Sequence, residues 1–184
     1  MNVSVIRGAD LVASPWKNGG GITREVAARA DAWRVSIADI DRPGPFSRFD
    51  GIDRVLVLLD GAGLTLGEHA VTRVFDTARF AGETPVEARL TDGPVRVFNV
   101  MTHRDAAHAS IDCWRSPASR IVAAESVLLH CAQGSLDVRV GRTRFTLAKM
   151  DTLRIDAARG VDVDVDIQGD GVLLCASLDT RGQS

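Results

Sequence analysis

Short apolar runs that alternate with polar residues and stop at glycines recur along nearly the whole chain. The run at 33–40 shows the pattern, because its alternation predicts a strand with one face formed by Trp33, Val35 and Ile37 and the other by Arg34, Ser36 and Ala38. Further runs lie at 55–59, 64–66, 86–90, 95–101, 127–131, 136–140, 143–147, 161–167 and 172–178. Glycines or Asp-Gly pairs separate most of them. Many short strands with turn signals between them predict an all-β fold, built as an antiparallel sandwich or barrel.

This β pattern occurs twice. An apolar run near Val55 leads through a glycine-rich turn into an alternating segment, and a run near Val127 does the same. An acidic residue followed by threonine enters a strand in both halves, at Glu83 and again at Asp151. Two copies of one β-unit would account for a length of 184 residues. We place the boundary in the polar stretch at 103–119, which gives units at 1–105 and 106–184.

The stretch from Pro15 to Arg24 reads PWKNGGGITR and is the strongest candidate for a binding loop. Glycines adopt backbone angles that other residues avoid, and they let a ligand approach backbone N–H groups. Lys17 offers a positive charge, Arg24 a planar fork that matches a carboxylate, and Asn18 both a donor and an acceptor. The lysine precedes the glycines and no helix is predicted after them, so this is not a phosphate-binding P-loop. The alternative interpretation is a glycine-rich hairpin with solvated charges.

Two further stretches carry polar residues that could face a ligand. Residues 41–54 read DRPGPFSRFDGIDR, and there Ser47 and Arg54 are functional candidates if they point into a cavity. An ordered loop packed by its two phenylalanines explains the same letters equally well. Asn99 lies within an otherwise apolar strand, on the face opposite Phe98. A buried asparagine needs hydrogen-bond partners from the protein or from a ligand.

The histidines, the charge and the hydropathy argue against several classes of function. The 4 histidines form no HxH or HExxH motif, which predicts no metal site, and no GxSxG or His-paired cysteine motif suggests a nucleophile. The net charge is −2 without a basic stripe, which disfavours nucleic acid as a partner. No apolar run approaches the roughly 20 residues of a membrane span, and no signal peptide is visible. We therefore expect a cytoplasmic protein with reduced thiols at Cys113, Cys131 and Cys175.

Taken together, the motifs of the N-terminal half resemble the signature of the HutD/Ves family of bacterial proteins. The second half resembles the family only in its β pattern. Each motif is weak alone, but the combination is specific. The motifs that carry the resemblance are Trp16-Lys17-Asn18-Gly19-Gly20-Gly21, Thr23-Arg24-Glu25, Trp33-Arg34-Val35-Ser36-Ile37-Ala38, Gly44-Pro45-Phe46-Ser47, Phe49, Gly51-Ile52-Asp53-Arg54 and Phe98-Asn99-Val100-Met101.

The resemblance implies a bicupin, with two cupin-type antiparallel β-barrels in one chain. Residues 1–105 would form the barrel with the ligand pocket, and residues 106–184 a degenerate, cupin-like barrel without a comparable polar and aromatic cluster. Cupins usually hold a metal with a His-x-His and further His or Glu ligands. Neither half has that set, so we expect a metal-free pocket and no cofactor. Family members are associated with histidine utilisation or with stress response, which implies binding of a small carboxylate metabolite such as formylglutamate.

Three hypotheses about function follow. The first is a metabolite-binding regulator of histidine utilisation, and the second is an isomerase or hydrolase that uses a perturbed acid such as Asp39 or Asp53. The third is an interaction protein whose loop docks a partner. Catalytic residues are not assigned, a homodimer is left open, and neither nucleic acid nor a membrane is expected as a partner. The expected ligand-binding residues are Trp16, Lys17, Asn18, Gly19, Gly20, Thr23, Arg24, Ser36, Ser47, Arg54 and Asn99.

Overall fold

The computed structural model describes residues 1–181, which form β-strands almost throughout and one 3-10 helix at Gly8–Asp10. The strands are, in chain order, β1 (Asn2–Ile6), β2 (Ala13–Pro15), β3 (Gly21–Arg29), β4 (Trp33–Ile40), β5 (Gly44–Pro45), β6 (Ile52–Asp60), β7 (Leu64–Leu66), β8 (His69–Val71), β9 (Thr77–Ala81), β10 (Glu87–Leu90), β11 (Val95–His103), β12 (Ala107–Arg115), β13 (Ala118–Val122), β14 (Ser126–Val140), β15 (Thr143–Ala148), β16 (Thr152–Asp156) and β17 (Val163–Thr180). The predicted all-β class is confirmed.

The chain divides into two compact units, and the first strand does not belong with its sequence neighbours. One unit is Val12–Ala107, and the other combines Met1–Leu11 with the described residues from His108 on. Pairing explains the grouping, because β1 runs antiparallel to β16, with Val3 opposite Ile155. The sequence-based division assigned all of 1–105 to the first unit. A single short strand carries no signal of its distant partner, so sequence adjacency was the only guide there.

Two sheets form the Val12–Ala107 unit. A six-stranded sheet has the order β2-β3-β4-β11-β6-β9, and a four-stranded sheet has the order β5-β10-β7-β8. An apolar core takes Ile40, Leu56 and Leu58 from the larger sheet and Leu64 and Leu66 from the smaller one. Burying these side chains stabilises the unit by roughly 1.5–3 kcal/mol each.

The other unit contains one seven-stranded sheet, built around two long strands. Its main order is β1-β16-β14-β17-β12, with β13 attached to β17 and β15 attached to β14. Its apolar core includes Leu129, Val138, Leu153, Ile167 and Leu173. Across residues 1–181 the strand orders of both units are open, and none of the three sheets closes into a ring.

Glycines that the sequence pattern presents as strand ends lie inside strands of this sheet. The sequence predicts separate strands on either side of Gly134 and Gly171, but β14 and β17 each run through, with these two glycines opposite each other. A Cβ at Gly134 would lie 1.8 Å from the carbonyl oxygen of Asp170, and one at Gly171 would lie 2.3 Å from that of Gln133. The glycines therefore permit a close approach of two paired backbones beside a bulge between Cys131 and Gln133.

Candidate anion-binding site

A cavity of about 450 Å³ lies in the Val12–Ala107 unit. Its apolar lining consists of Pro15, Ala38, Ile40, Pro45, Phe46, Phe49, Leu56, Val97 and Met101, together with the ring of Trp16. Its polar lining consists of Lys17, Asn18, Thr23, Arg34, Ser36, Ser47, Arg54 and Asn99. The polar side chains thus include three cations and no carboxylate, which favours an anionic ligand.

The register of three central strands explains which side chains meet in the cavity. Ser36 of β4 lies opposite Asn99 of β11, and Asn99 lies opposite Leu56 of β6. Residues that are directly opposite in an antiparallel sheet point to the same face, so these three form one row. Arg54, two residues before Leu56 in β6, lies on the same face. Alternation along each strand therefore converts one sheet face into the cavity wall.

Arg54 carries the strongest sign of a ligand. Its side chain is buried, with 8% of the residue exposed, and its Nη2 donates a long hydrogen bond of 3.4 Å to Asn99 Oδ1. Its Nε has no hydrogen-bond partner, and no carboxylate of residues 1–181 pairs with it. Burial lowers the pKa of Arg54 to about 10, so the guanidinium is still charged at neutral pH. A buried cation without a counter-charge is costly, and an anionic ligand would offset that cost.

Three phenylalanine rings surround this guanidinium. Its Cζ lies 5.0 Å from the ring centroid of Phe46, 5.8 Å from that of Phe49 and 5.1 Å from that of Phe80. Aromatic faces attract a cation but accept no conventional hydrogen bond, so the rings surround the guanidinium without using its N–H donors. The ring of Trp16 meets Phe46 edge to face, with centroids 6.0 Å apart.

The other two cations differ in how far they are already neutralised. The Nε of Arg34 donates to Glu25 Oε2 at 2.8 Å, and both side chains are about half exposed. Lys17 is exposed and forms no ion pair with any residue in the described part of the chain. Arg54 is therefore the buried cation of the cavity, whereas Lys17 adds a solvated charge at its edge.

The glycines of PWKNGGGITR shape a tight turn. The N–H of Gly19 donates to the carbonyl of Trp16 at 3.0 Å, and the N–H of Gly20 donates to Asn18 Oδ1 at 2.9 Å. Gly19 has a φ of +68, which glycine adopts without strain. A Cβ at Gly21 would lie 2.3 Å from the carbonyl oxygen of Asp39. Gly19 and Gly20 do not line the cavity, and their N–H groups are engaged within the turn, in contrast to the expected contact with a ligand.

Arg24 likewise lies outside the cavity lining, in contrast to its predicted role as a carboxylate-binding fork. In β3 it is opposite Ile37 rather than Ala38, so it points to the other face of the sheet. There its Nη1 donates to Asp39 Oδ2 at 2.8 Å, and Arg96 Nε donates to Asp39 Oδ1 at 2.5 Å. Burial alone would raise the pKa of Asp39, but hydrogen bonds from Arg96 and Arg24 outweigh it and lower the pKa.

The structure brings together most of the predicted site residues. Trp16, Lys17, Asn18, Thr23, Ser36, Ser47, Arg54 and Asn99 all line the one cavity. The Nε1 of Trp16 donates to Thr23 Oγ1 at 2.7 Å, which orients the ring at the cavity wall. Sequence reasoning missed Arg34 as a lining residue and Phe80 as part of the aromatic cage. Arg34 had a usable signal, since it shares an alternating face with Ser36, whereas Phe80 is brought to Arg54 only by the pairing of β6 with β9.

The two acids considered for catalysis lie elsewhere. Asp39 is on the opposite sheet face with its two arginines, and Asp53 accepts a hydrogen bond of 2.9 Å from Arg104 Nε. Neither acid lines the cavity. Within residues 1–181, no three His, Cys, Asp or Glu side chains are grouped so as to hold a metal ion. The described residues also contain no helix that is both long and apolar enough to span a bilayer.

A second cavity, of about 540 Å³, lies in the other unit. Its lining includes Asp112, Arg120, Ser177 and Asp179 beside the buried thiol of Cys175. Sequence reasoning expected no comparable polar and aromatic cluster in this half. The polar residues of this lining are spread over three separated strands, so no local stretch shows them together.

The fold is shared with cupin proteins of dissimilar sequence. A cupin 2 conserved barrel domain protein from Leptotrichia buccalis superposes with a TM-score of 0.63, covering 98% of this chain and 98% of its own, at 11% identity. The protein thus has a cupin-like all-β fold, here with a cavity around a buried arginine in one unit.

The HutD family model matches residues 8–175, and the chain belongs to the HutD family. An uncharacterised 21.2 kDa protein in the hutC 3′ region of Pseudomonas putida is 34% identical over 166 residues, which cover 84% of this chain and 87% of that relative. Protein Ves of Cronobacter sakazakii is 42% identical over 106 residues, covering 52% of this chain and 58% of the Ves protein. The resemblance to the HutD/Ves family is confirmed.

Solved structures agree with this membership. HutD from Pseudomonas fluorescens, described for a formate condition, has a TM-score of 0.84 at 32% identity and covers 98% of this chain and 100% of its own. A conserved protein of unknown function from Pseudomonas aeruginosa has a TM-score of 0.90 at 28% identity, with coverage of 98% and 100%.

Proposed function

We propose that this protein binds a small carboxylate metabolite in the cavity of its Val12–Ala107 unit, with Arg54 as the anchor. The main support for this proposal is the buried guanidinium of Arg54, which has an unpartnered Nε and no carboxylate partner in residues 1–181. A carboxylate presents two acceptor oxygens in the plane of the fork, which is the geometry that arginine binds best. The amide of Asn99 and the hydroxyl of Ser36, both buried in the same row, supply further hydrogen bonds.

The size and lining of the cavity favour a small acid over a nucleotide or a polymer. A volume of about 450 Å³ suits a metabolite, and the apolar walls match a short carbon chain. Formylglutamate, an intermediate of histidine breakdown, is our first candidate ligand. Membership of the HutD family, and a relative in the hutC 3′ region, support a role in histidine utilisation. In this proposal the two units are the two cupin-type barrels of a bicupin, and the protein regulates the pathway in the cytoplasm by sensing a metabolite.

Binding without turnover fits the cavity better than catalysis does. The lining contains no carboxylate and no imidazole, so the described residues supply no general base of the usual kinds beside Arg54. Lys17, the one amine of the lining, is exposed.

A calorimetric titration tests the proposal. Purified protein is titrated with N-formyl-L-glutamate and with formate, and the controls are the corresponding uncharged amides. We expect the carboxylates to bind and the amides to bind at least tenfold more weakly, since a charge-assisted hydrogen bond contributes roughly 1.5–3 kcal/mol. Equal affinity for acid and amide would contradict an arginine anchor. If chromatography shows that the acid is converted to a product during the titration, the protein is an enzyme rather than a binding protein.

A further inference from the structure

Phe46 and Phe49, two of the three rings around Arg54, belong to a segment with little regular structure of its own. We call residues 44–49 the phenylalanine segment. The N–H of Phe46 donates to the carbonyl of Val86 at 2.9 Å, and the N–H of Phe49 donates to the carbonyl of Gly82 at 2.9 Å. Both rings are therefore positioned through their backbones by residues 82–86, which we call the anchoring segment.

The side chain of Arg104 in turn contacts the anchoring segment. Arg104 forms a bidentate pair with Glu83, with Nη1 to Oε1 at 3.0 Å and Nη2 to Oε2 at 3.2 Å. The Nε of the same guanidinium donates to Asp53 Oδ1 at 2.9 Å, and its backbone N–H donates to the carbonyl of Gly51 at 2.9 Å. Asp53 precedes Arg54 in β6. Arg104 thus links β6, the strand that carries Arg54, to the anchoring segment.

Further contacts connect the anchoring segment to the phenylalanine segment. Gly82 lies so close to the phenylalanine segment that a Cβ there would be 2.5 Å from the carbonyl oxygen of Phe49. Arg48 Nε donates to the carbonyl of Glu83 at 2.9 Å, so a side chain of the phenylalanine segment also bonds to the anchoring segment. A small displacement of residues 82–86 would therefore also displace the rings of Phe46 and Phe49, although every residue that lines the cavity is still present.

We infer that Arg104 is a positioning residue of the anion site: through Glu83 and Asp53 it holds the phenylalanine segment against Arg54 and so sets the affinity for the carboxylate. The inference rests on the proposed function of Arg54. Arg104 itself does not line the cavity. Its three in-plane bonds need the planar guanidinium fork, which an ammonium group cannot reproduce. When the rings move away, water reaches the guanidinium and weakens its bond to an anion.

The test compares Arg104→Gln and Arg104→Lys with Arg73→Gln, a matched control in which an exposed arginine loses its contact with Asp76. Two quantities are measured: amide hydrogen exchange at Phe46 and Phe49 without ligand, and the Kd for N-formyl-L-glutamate. Both Arg104 variants should exchange these two amides faster and bind roughly 3- to 10-fold more weakly. The control should match the wild type in both quantities.

Glu83→Gln removes the same pair from the other side and serves as a second variant. It should change both quantities in the same direction as Arg104→Gln, and the double variant should change them by less than the sum of the two single changes. Unchanged exchange at Phe46 and Phe49, or faster exchange with an unchanged Kd, would overturn the role of Arg104. A wild-type protein that binds neither formate nor N-formyl-L-glutamate would instead contradict the proposed function, which separates the two failures.

Discussion

Arg54 Nη2 reaches Asn99 Oδ1 at 3.4 Å from the neighbouring strand, and this is the one side-chain hydrogen bond that the structure shows for the buried guanidinium within residues 1–181. The distance is long for an N–H···O bond, and a neutral amide does not compensate the charge of the guanidinium. Asn99 is itself buried, with 6% of the residue exposed. The two residues therefore form an incomplete polar pair that a carboxylate would complete.

Replacing Arg54 by methionine separates function from stability. We expect Arg54→Met to weaken carboxylate binding by about 10- to 100-fold. The free energy of unfolding should stay within about 1 kcal/mol of the wild-type value, because methionine fills similar space while the cost of burying an unpaired cation disappears. Calorimetry gives the first quantity and urea unfolding the second. A loss of several kcal/mol in stability would show that Arg54 serves the fold rather than a ligand.

Arg24→Ala should have the opposite profile. Carboxylate affinity should be unchanged, since Arg24 points to the face away from the cavity. The free energy of unfolding should fall by about 1–3 kcal/mol, because the partly buried carboxylate of Asp39 loses one of its two arginine donors. The same titration and unfolding curves measure both effects, with Arg42→Ala, at an exposed site between β4 and β5, as the control. A loss of carboxylate affinity in a variant that is still folded would show that Arg24 takes part in ligand binding.

The pKa of Asp39 predicts how stability responds to acid. Burial raises this pKa, but hydrogen bonds from Arg96 and Arg24 lower it below the ordinary value of 3.8. The folded state therefore holds the proton less tightly than the unfolded chain does. The resulting stabilisation is complete above pH 3.8 and is lost as the pH falls through the lower, folded pKa.

Asp39→Asn should remove this contribution. Its melting temperature, measured between about pH 2.5 and pH 6, should fall less steeply in the acid range than that of the wild type. Parallel curves for the two proteins would mean that Asp39 contributes nothing to the acid dependence.

The three cysteines should differ in reactivity. Cys113 is exposed, whereas Cys131 and Cys175 are buried. Burial raises the pKa of Cys131 to about 11 and that of Cys175 to about 12, so both stay protonated and shielded near neutral pH. A thiol reagent should modify one group quickly in the native protein and three after denaturation without reductant. Fewer than three in the denatured protein would reveal a disulfide, and Cys113→Ser should abolish the fast phase.

Part of the candidate site was predictable from the alternation of single strands. The run at 33–40 places Ser36 on one face with Arg34, and the apolar neighbours of Asn99 place that amide on the opposite side from Phe98. A strand repeats every two residues, so local sequence is enough to sort its side chains into two faces. It does not reveal which face encloses a cavity.

The strand ends that the sequence predicts at Gly134 and Gly171 are wrong for a physical reason. The sequence pattern presents Gly134 and Gly171 as turns because glycine usually interrupts strands. In this sheet they face each other within two long paired strands, where side chains would collide with the opposite backbone. Their meaning depends on a partner strand that local sequence does not identify.

The sequence by itself determined the all-β class, the family and most of the residues around the cavity. Alternation and turn chemistry are local, and the clustered motifs are specific. Only the tertiary structure decided the surroundings of the two arginines that the sequence presented alike. Register turns Arg24 toward Asp39, whereas it turns Arg54 into a cage of rings contributed by Phe46, Phe49 and Phe80. An arginine is paired with a carboxylate or left without one according to the side chains that non-local strand pairing brings beside it, and no local pattern encodes those neighbours.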